Sequence, residues 1–186
     1  MQTQLDVPTV RLTRKAWETI TTEALTHSSE TETGGMLLGR REGLRLALVE
    51  VAGGPGPRAV HQPASFHRDL EHAQALADAA WNDHRAEWIG EWHTHLGANL
   101  APSELDLSSY LRHLKDPDLG FEVFISLIVG LANTRVAAAG WMTTRSELTL
   151  ARVELAGATD DAASDRQTAT DVSADRSFNP PTASLS

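Results

Sequence analysis

Cysteine is absent from all 186 residues. Disulfides and thiolate metal sites are therefore excluded, and any metal must be held by histidine and carboxylate. Basic residues are outnumbered, 16 Lys and Arg against 25 Asp and Glu, for a formal charge of -9. That balance argues against a nucleic-acid partner, whose phosphates are bound chiefly by Lys and Arg. No apolar run approaches the roughly 20 residues that a membrane helix needs, so no membrane partner is expected. Met1–Val10 carries neither a basic n-region nor an apolar h-region, so no secretory signal is expected and the plain reading is a cytoplasmic protein. Internal repeats are lacking too. Gly34-Gly35 is followed by no Lys-Ser/Thr, which removes a phosphate-binding loop from consideration.

What is present suits one domain with a hydrophobic core. Thr9–Leu12 reads as a short strand, and Trp17, Ile20, Ala24 and Leu25 recur at helical spacing over Arg14 to Thr26. Gly34–Gly39 encloses an apolar run of buried-strand length. Leu44–Val51 reads as its hairpin partner, with Leu44, Leu46 and Leu48 alternating against Arg45 and Ala47. Gly53-Gly54-Pro55-Gly56-Pro57 must be loop. Asp69 to Arg85 reads as a helix, with Leu70, Ala73, Ala77 and Trp81 on one stripe. Strands follow at Trp88–Thr94, Glu122–Val129, Arg135–Met142 and Leu148–Leu155. Between the first two lies a helix over Ser103–Leu114, with Leu107, Tyr110, Leu111 and Leu114 turned inward. This order is neither strict βαβ nor all-β, so the expected class is α/β or α+β around one mixed sheet. The domain is expected over residues 1–156. Residues 157–186, dominated by Ala, Thr, Ser and Asp, are expected to form a disordered polar tail.

The chemistry is concentrated in Glu91-Trp92-His93-Thr94-His95 and, after Leu96 to Pro102, in Ser103-Glu104-Leu105-Asp106. Residues i and i+2 of a strand share a face, so His93 and His95 can present their rings side by side. The loop is long enough to fold the start of the next helix back over the strand end and bring Asp106 in as a third ligand. Three protein ligands with one open position make a catalytic zinc site, whereas structural sites are closed by four. Such a site also needs a base for its water. Glu32, just ahead of a buried strand, is the candidate, with Glu30 as its competitor in another loop register. Ser103 is the candidate donor to a developing oxyanion. Ser103 and Asp106 also fit a helix capping box, a role expected to compete with ligation by Asp106. The remaining histidines, His27, His61, His67, His72, His84 and His113, read as surface or helix residues.

His-x-His, seven residues, then Ser-x-x-Asp resembles the metal motif of the JAMM (JAB/MPN-type) metallopeptidases. Glu32, Gly35, Leu37 and Gly39 match that family's upstream Glu-x-x-Gly-x-Leu-x-Gly. The resemblance covers roughly Val10 to Leu155. It implies a mixed sheet flanked by helices in a cytidine-deaminase-like arrangement. It also implies Zn2+ held by His93, His95 and Asp106, with Glu32 as general acid/base and Ser103 as oxyanion stabiliser. The implied substrate is a ubiquitin-like or sulfur-carrier protein, cut after its C-terminus by a peptidase or isopeptidase. Leu96 stands where many members have proline. A non-catalytic scaffold of the same fold, which predicts broken ligands, and a hydrolase of small amides remain as alternatives. The Asn between histidines and the Pro-Ser-Gly typical of a DNA-repair relative are replaced here by Thr94 and Leu96-Gly97-Ala98.

Overall fold

Thr13 ends the first strand and starts the first helix. Its hydroxyl accepts from the Ala16 amide, capping α1 (Arg14–Thr26), while its own amide is held by Val49. The computed structural model describes residues 7–27, 30–132 and 135–157, so the tail expected after Gly157 lies outside the described residues. The other elements, in chain order, are β1 (Thr9–Leu12), β2 (Gly34–Glu42), β3 (Leu46–Ala52), β4 (Val60–Gln62), β5 (Ser65–His67), α2 (Leu70–His84), β6 (Glu87–Thr94), α3 (Glu104–Lys115), β7 (Phe124–Ala132), β8 (Arg135–Thr143) and β9 (Leu148–Leu155). The expected mixed α/β fold is observed.

The sheet runs β1-β3-β2-β6-β7-β8-β9 and closes, because β1 pairs in parallel with both β3 and β9. Closure was not foreseen. It gives every strand of this sheet a neighbour on both sides.

Both faces of the central strands are covered, which explains their apolar runs. On one face Leu37, Trp92, Ile125 and Leu127 pack with Ala16 and Ile20 of α1. On the other, Met36 and Leu38 meet Ala73 and Ala80 of α2, and Phe124 meets Tyr110 and Leu114 of α3. Along β6, Trp92 belongs to the first face, so strand alternation turns Glu91 and His93 to the second, where α2 and α3 begin.

Two phases differ from expectation. In β3 it is Ala47 and Val49 that are fully buried, while Leu46 and Leu48 are half-buried and Leu44 lies exposed outside the strand. The concave face of a closing sheet, already filled by Trp92 and α1, leaves room for small side chains there. Leu25 and Leu70, placed on inward stripes by spacing, are exposed instead. Each lies near the end of its helix, where it outruns the sheet.

The motif glycine Gly35 has a packing reason. A Cβ there would overlap the Gly53 carbonyl oxygen, which also accepts a hydrogen bond from Trp92 Nε1 at 2.8 Å. Gly35→Ala is expected to cost about 1–3 kcal/mol through overpacking. Urea titration checks this, and an unchanged midpoint would refute the packing assignment.

Candidate metal centre

Thr94, between the two site histidines, locks their strand to the segment ahead of β2. Its amide donates to Thr33 O at 2.8 Å, and its hydroxyl accepts from the Thr33 amide at 2.9 Å. His95 follows the end of β6, with its amide donating to Val129 O at 2.9 Å. Its ring is oriented by Asn99, whose carbonyl lies 3.0 Å from Nδ1. A carbonyl only accepts, so Nδ1 carries a proton and the neutral ring presents the Nε2 lone pair.

That lone pair faces two others. His93 Nε2 lies 3.1 Å from His95 Nε2, Asp106 Oδ1 lies 3.4 Å from His93 Nε2, and Asp106 Oδ2 lies 3.3 Å from His95 Nε2. A tetrahedral zinc ion with bonds of about 2.0–2.1 Å sets its donors about 3.3–3.4 Å apart along each edge. The two separations from Asp106 have that size, each to a different carboxylate oxygen, and the two ring nitrogens lie slightly closer. Two imidazoles and a carboxylate are also a donor set zinc accepts, and as the described residues' one such cluster they fit the ion with a fourth position left over. His93 is buried, and the other two are half-buried.

The local charges follow from this convergence. Burial works against ionisation of Asp106, but the hydrogen bonds with His93 and His95 outweigh it and hold its carboxyl well below the usual range. The hydrogen bond to Asp106 raises the pKa of His95, with burial opposing. Protons and metal therefore compete for the same nitrogen, and metal affinity falls as pH falls.

Asp106 caps and converges at once, which corrects the expected competition. Oδ2 accepts from the Ser103 amide and from Ser103 Oγ, both at 2.7 Å, completing the capping box of α3, while Oδ1 faces His93. A carboxylate has lone pairs enough for both. Ser103 is thus in the site, with its hydroxyl proton spent on Asp106.

Glu32 stands outside the tight donor cluster but within its field. Burial raises its pKa, the charges on His93 and His95 pull it down, and Asp106 adds to the rise. The half-buried Glu32 side chain is the acid the fold brings beside the three donors. Proline is not needed after His95. The loop carrying Leu96 is tied by Gly97 N–H to His95 O at 3.0 Å and by Trp141 Nε1 to Leu100 O at 2.8 Å.

None of the other six histidines joins the cluster. Two features of the surroundings escaped sequence reading. Glu91, on the face of His93, forms a partly buried ion pair with Arg68 at 2.7 Å, and Arg68 lies over the Trp88 ring. His61 bonds the backbone of Glu32. Neither has a local signal, because each partner comes from a distant part of the chain.

The chain matches the family described as "Prokaryotic homologs of the JAB domain" over residues 14–149. It is similar to two proteins called CD-NTase/cGAS isopeptidase. The one from Escherichia coli is 32% identical over 107 residues, and the one from Vibrio cholerae is 29% identical over 106 residues. Each match covers 56% of this chain and 65% of the relative's own length. A protein of Desulfitobacterium hafniense solved in solution superposes with a TM-score of 0.58 at 21% identity, over 79% of this chain and 92% of that one, a likeness of fold. With the matched region running from α1 to the start of β9 and holding every residue of the donor cluster, this chain belongs to the prokaryotic JAB-domain family.

Proposed function

We propose that this chain is a zinc-dependent isopeptidase, cutting the amide that joins the C-terminus of one protein to an amine of another. The observation that carries the reading is the set of three donor side chains whose nearest nitrogen and oxygen atoms lie 3.1–3.4 Å apart, with Glu32 within reach of their charges. His93, His95 and Asp106 would hold the ion. When bound, zinc supplies Lewis acidity, which acidifies the attacking water and polarises the scissile carbonyl. Glu32 takes the proton from that water and delivers it to the departing amine. Its burial-raised pKa suits a group that must hold the proton between the two steps. Ser103 Oγ turns its hydrogen from Asp106 towards the carbonyl oxygen as negative charge develops there. The carbonyl of Asn99 keeps the His95 ring in register throughout.

The motif's resemblance favours a ubiquitin-like protein as the side that supplies the C-terminus. The two relatives' names favour a narrower substrate, a conjugate containing a CD-NTase. Two probes separate these: a CD-NTase and a ubiquitin-like protein, each joined through its C-terminal carboxylate to a lysine side chain. Release of the intact protein from either, stopped by a zinc chelator and restored by zinc, is the expected result. Cleavage of neither probe by the zinc-loaded chain would contradict the isopeptidase reading.

A further inference from the structure

Glu32 and Thr33 lie between α1 and β2, outside any regular element. A side chain there is aimed only as well as the two peptide planes flanking its Cα are held. Both planes around Glu32 are pinned. The Glu32 amide donates to Gln62 O at 2.9 Å. The Glu32 carbonyl lies 2.9 Å from His61 Nδ1. On the far side of that second plane, the Thr33 amide donates to Thr94 Oγ1 at 2.9 Å. The peptide unit between Glu32 and Thr33 is thus stretched between two anchors, the β4–β5 ribbon and the strand that carries the zinc-site histidines.

His61 is itself held. Its ring lies 3.9 Å from that of His27 and stacks at 6.4 Å on Phe66 of β5. The Phe66 ring in turn lies against Gly34, where a Cβ would collide with it at about 2.5 Å. Because the Glu32 carbonyl cannot donate, His61 must carry its proton on Nδ1. The hydrogen bond therefore asks for a donor at one particular ring position, and a ring that only packs would not serve.

We propose that His61 is a positioning residue, which aims the Glu32 carboxylate by fixing the peptide plane on its C-terminal side. The proposal rests on the reading of Glu32 as the proton carrier. A displacement of about 1 Å at such a group can cost on the order of 10²-fold in rate. Loss of one of the three anchors is accordingly expected to lower kcat about tenfold, with KM and zinc content unchanged.

Two substitutions separate positioning from packing. His61→Phe keeps the ring between His27 and Phe66 but removes the donor. His61→Asn loses the ring but keeps an amide nitrogen at the position of Nδ1. Positioning predicts that His61→Phe is the impaired variant and His61→Asn stays near wild type. Packing predicts the reverse. Amide hydrogen exchange supplies a readout that needs no substrate. In His61→Phe the Thr33 amide, which shares its peptide plane with the Glu32 carbonyl, should exchange about tenfold faster, while the Glu32 amide, held by Gln62 O in the preceding plane, keeps its protection. Unchanged Thr33 exchange in His61→Phe, or greater damage in His61→Asn, would overturn the proposal. Glu32→Gln is run alongside. If that variant keeps wild-type turnover, the proton-carrier role fails, and the exchange data still decide whether His61 holds the Glu32 backbone.

Discussion

Glu32→Gln should reduce turnover by about 10³-fold while leaving zinc content and folding stability at wild-type values. Positioned acid–base groups contribute on the order of 10²–10⁴-fold, and glutamine matches glutamate in size but cannot take a proton. The backbone anchors of residue 32 run through its amide and carbonyl, not its side chain, so the substitution leaves them in place. Steady-state cleavage of the isopeptide probe, with metal analysis on the same preparation, checks both halves of the expectation. Turnover within tenfold of wild type would remove Glu32 from the mechanism and return Glu30 to consideration. Loss of zinc would instead make Glu32 a ligand.

Asp106→Asn is expected to abolish turnover through a different route. The amide is neutral and a poor zinc ligand. Removing an outer partner of a zinc ligand already costs about 10–100-fold in affinity, so weakening a ligand itself should cost at least that. The amide oxygen can still accept from the Ser103 amide, so α3 keeps part of its cap and the metal-free fold should lose less than about 1 kcal/mol. Ser103→Ala is the contrasting case. It removes the N-cap acceptor of Asp106 N and the donor to Oδ2. A loss of about 0.5–2 kcal/mol is expected from the cap, with zinc retained and turnover reduced but measurable. Calorimetric zinc titration and thermal unfolding separate the two variants. Equal zinc affinity in Asp106→Asn and wild type would show that Asp106 is no ligand.

The histidine pair was legible because strand geometry puts i and i+2 on one face whatever the fold. Asp106 was legible because seven residues from His95 to the helix start leave few places for its carboxylate to go. Strands β1 and β9 were read with their observed bounds, since short apolar alternations between turns survive in most contexts. The phase of β3 was not legible. Leu46 and Leu48 are larger than Ala47 and would be turned inward by hydrophobicity alone, but the curved interior accepts Ala47 and Val49. Nor was the β4–β5 ribbon, whose strands Val60–Gln62 and Ser65–His67 are too short to show a period. Barrel closure depends on four residues of β1 pairing with two strands far along the chain, which no local pattern encodes. His61 was passed over for the same reason. Its partner is a main-chain carbonyl 29 residues away, and main-chain groups leave no trace in a sequence.

The convergence of His93, His95 and Asp106 on one ion is tested most directly by counting zinc in the purified chain and in its Asp106→Asn variant after dialysis against trace metal. Close to one zinc per wild-type chain, and far less in the variant at equal folded fraction, is the predicted outcome. A folded wild-type chain that takes up no zinc, or a variant that takes up as much, would contradict it.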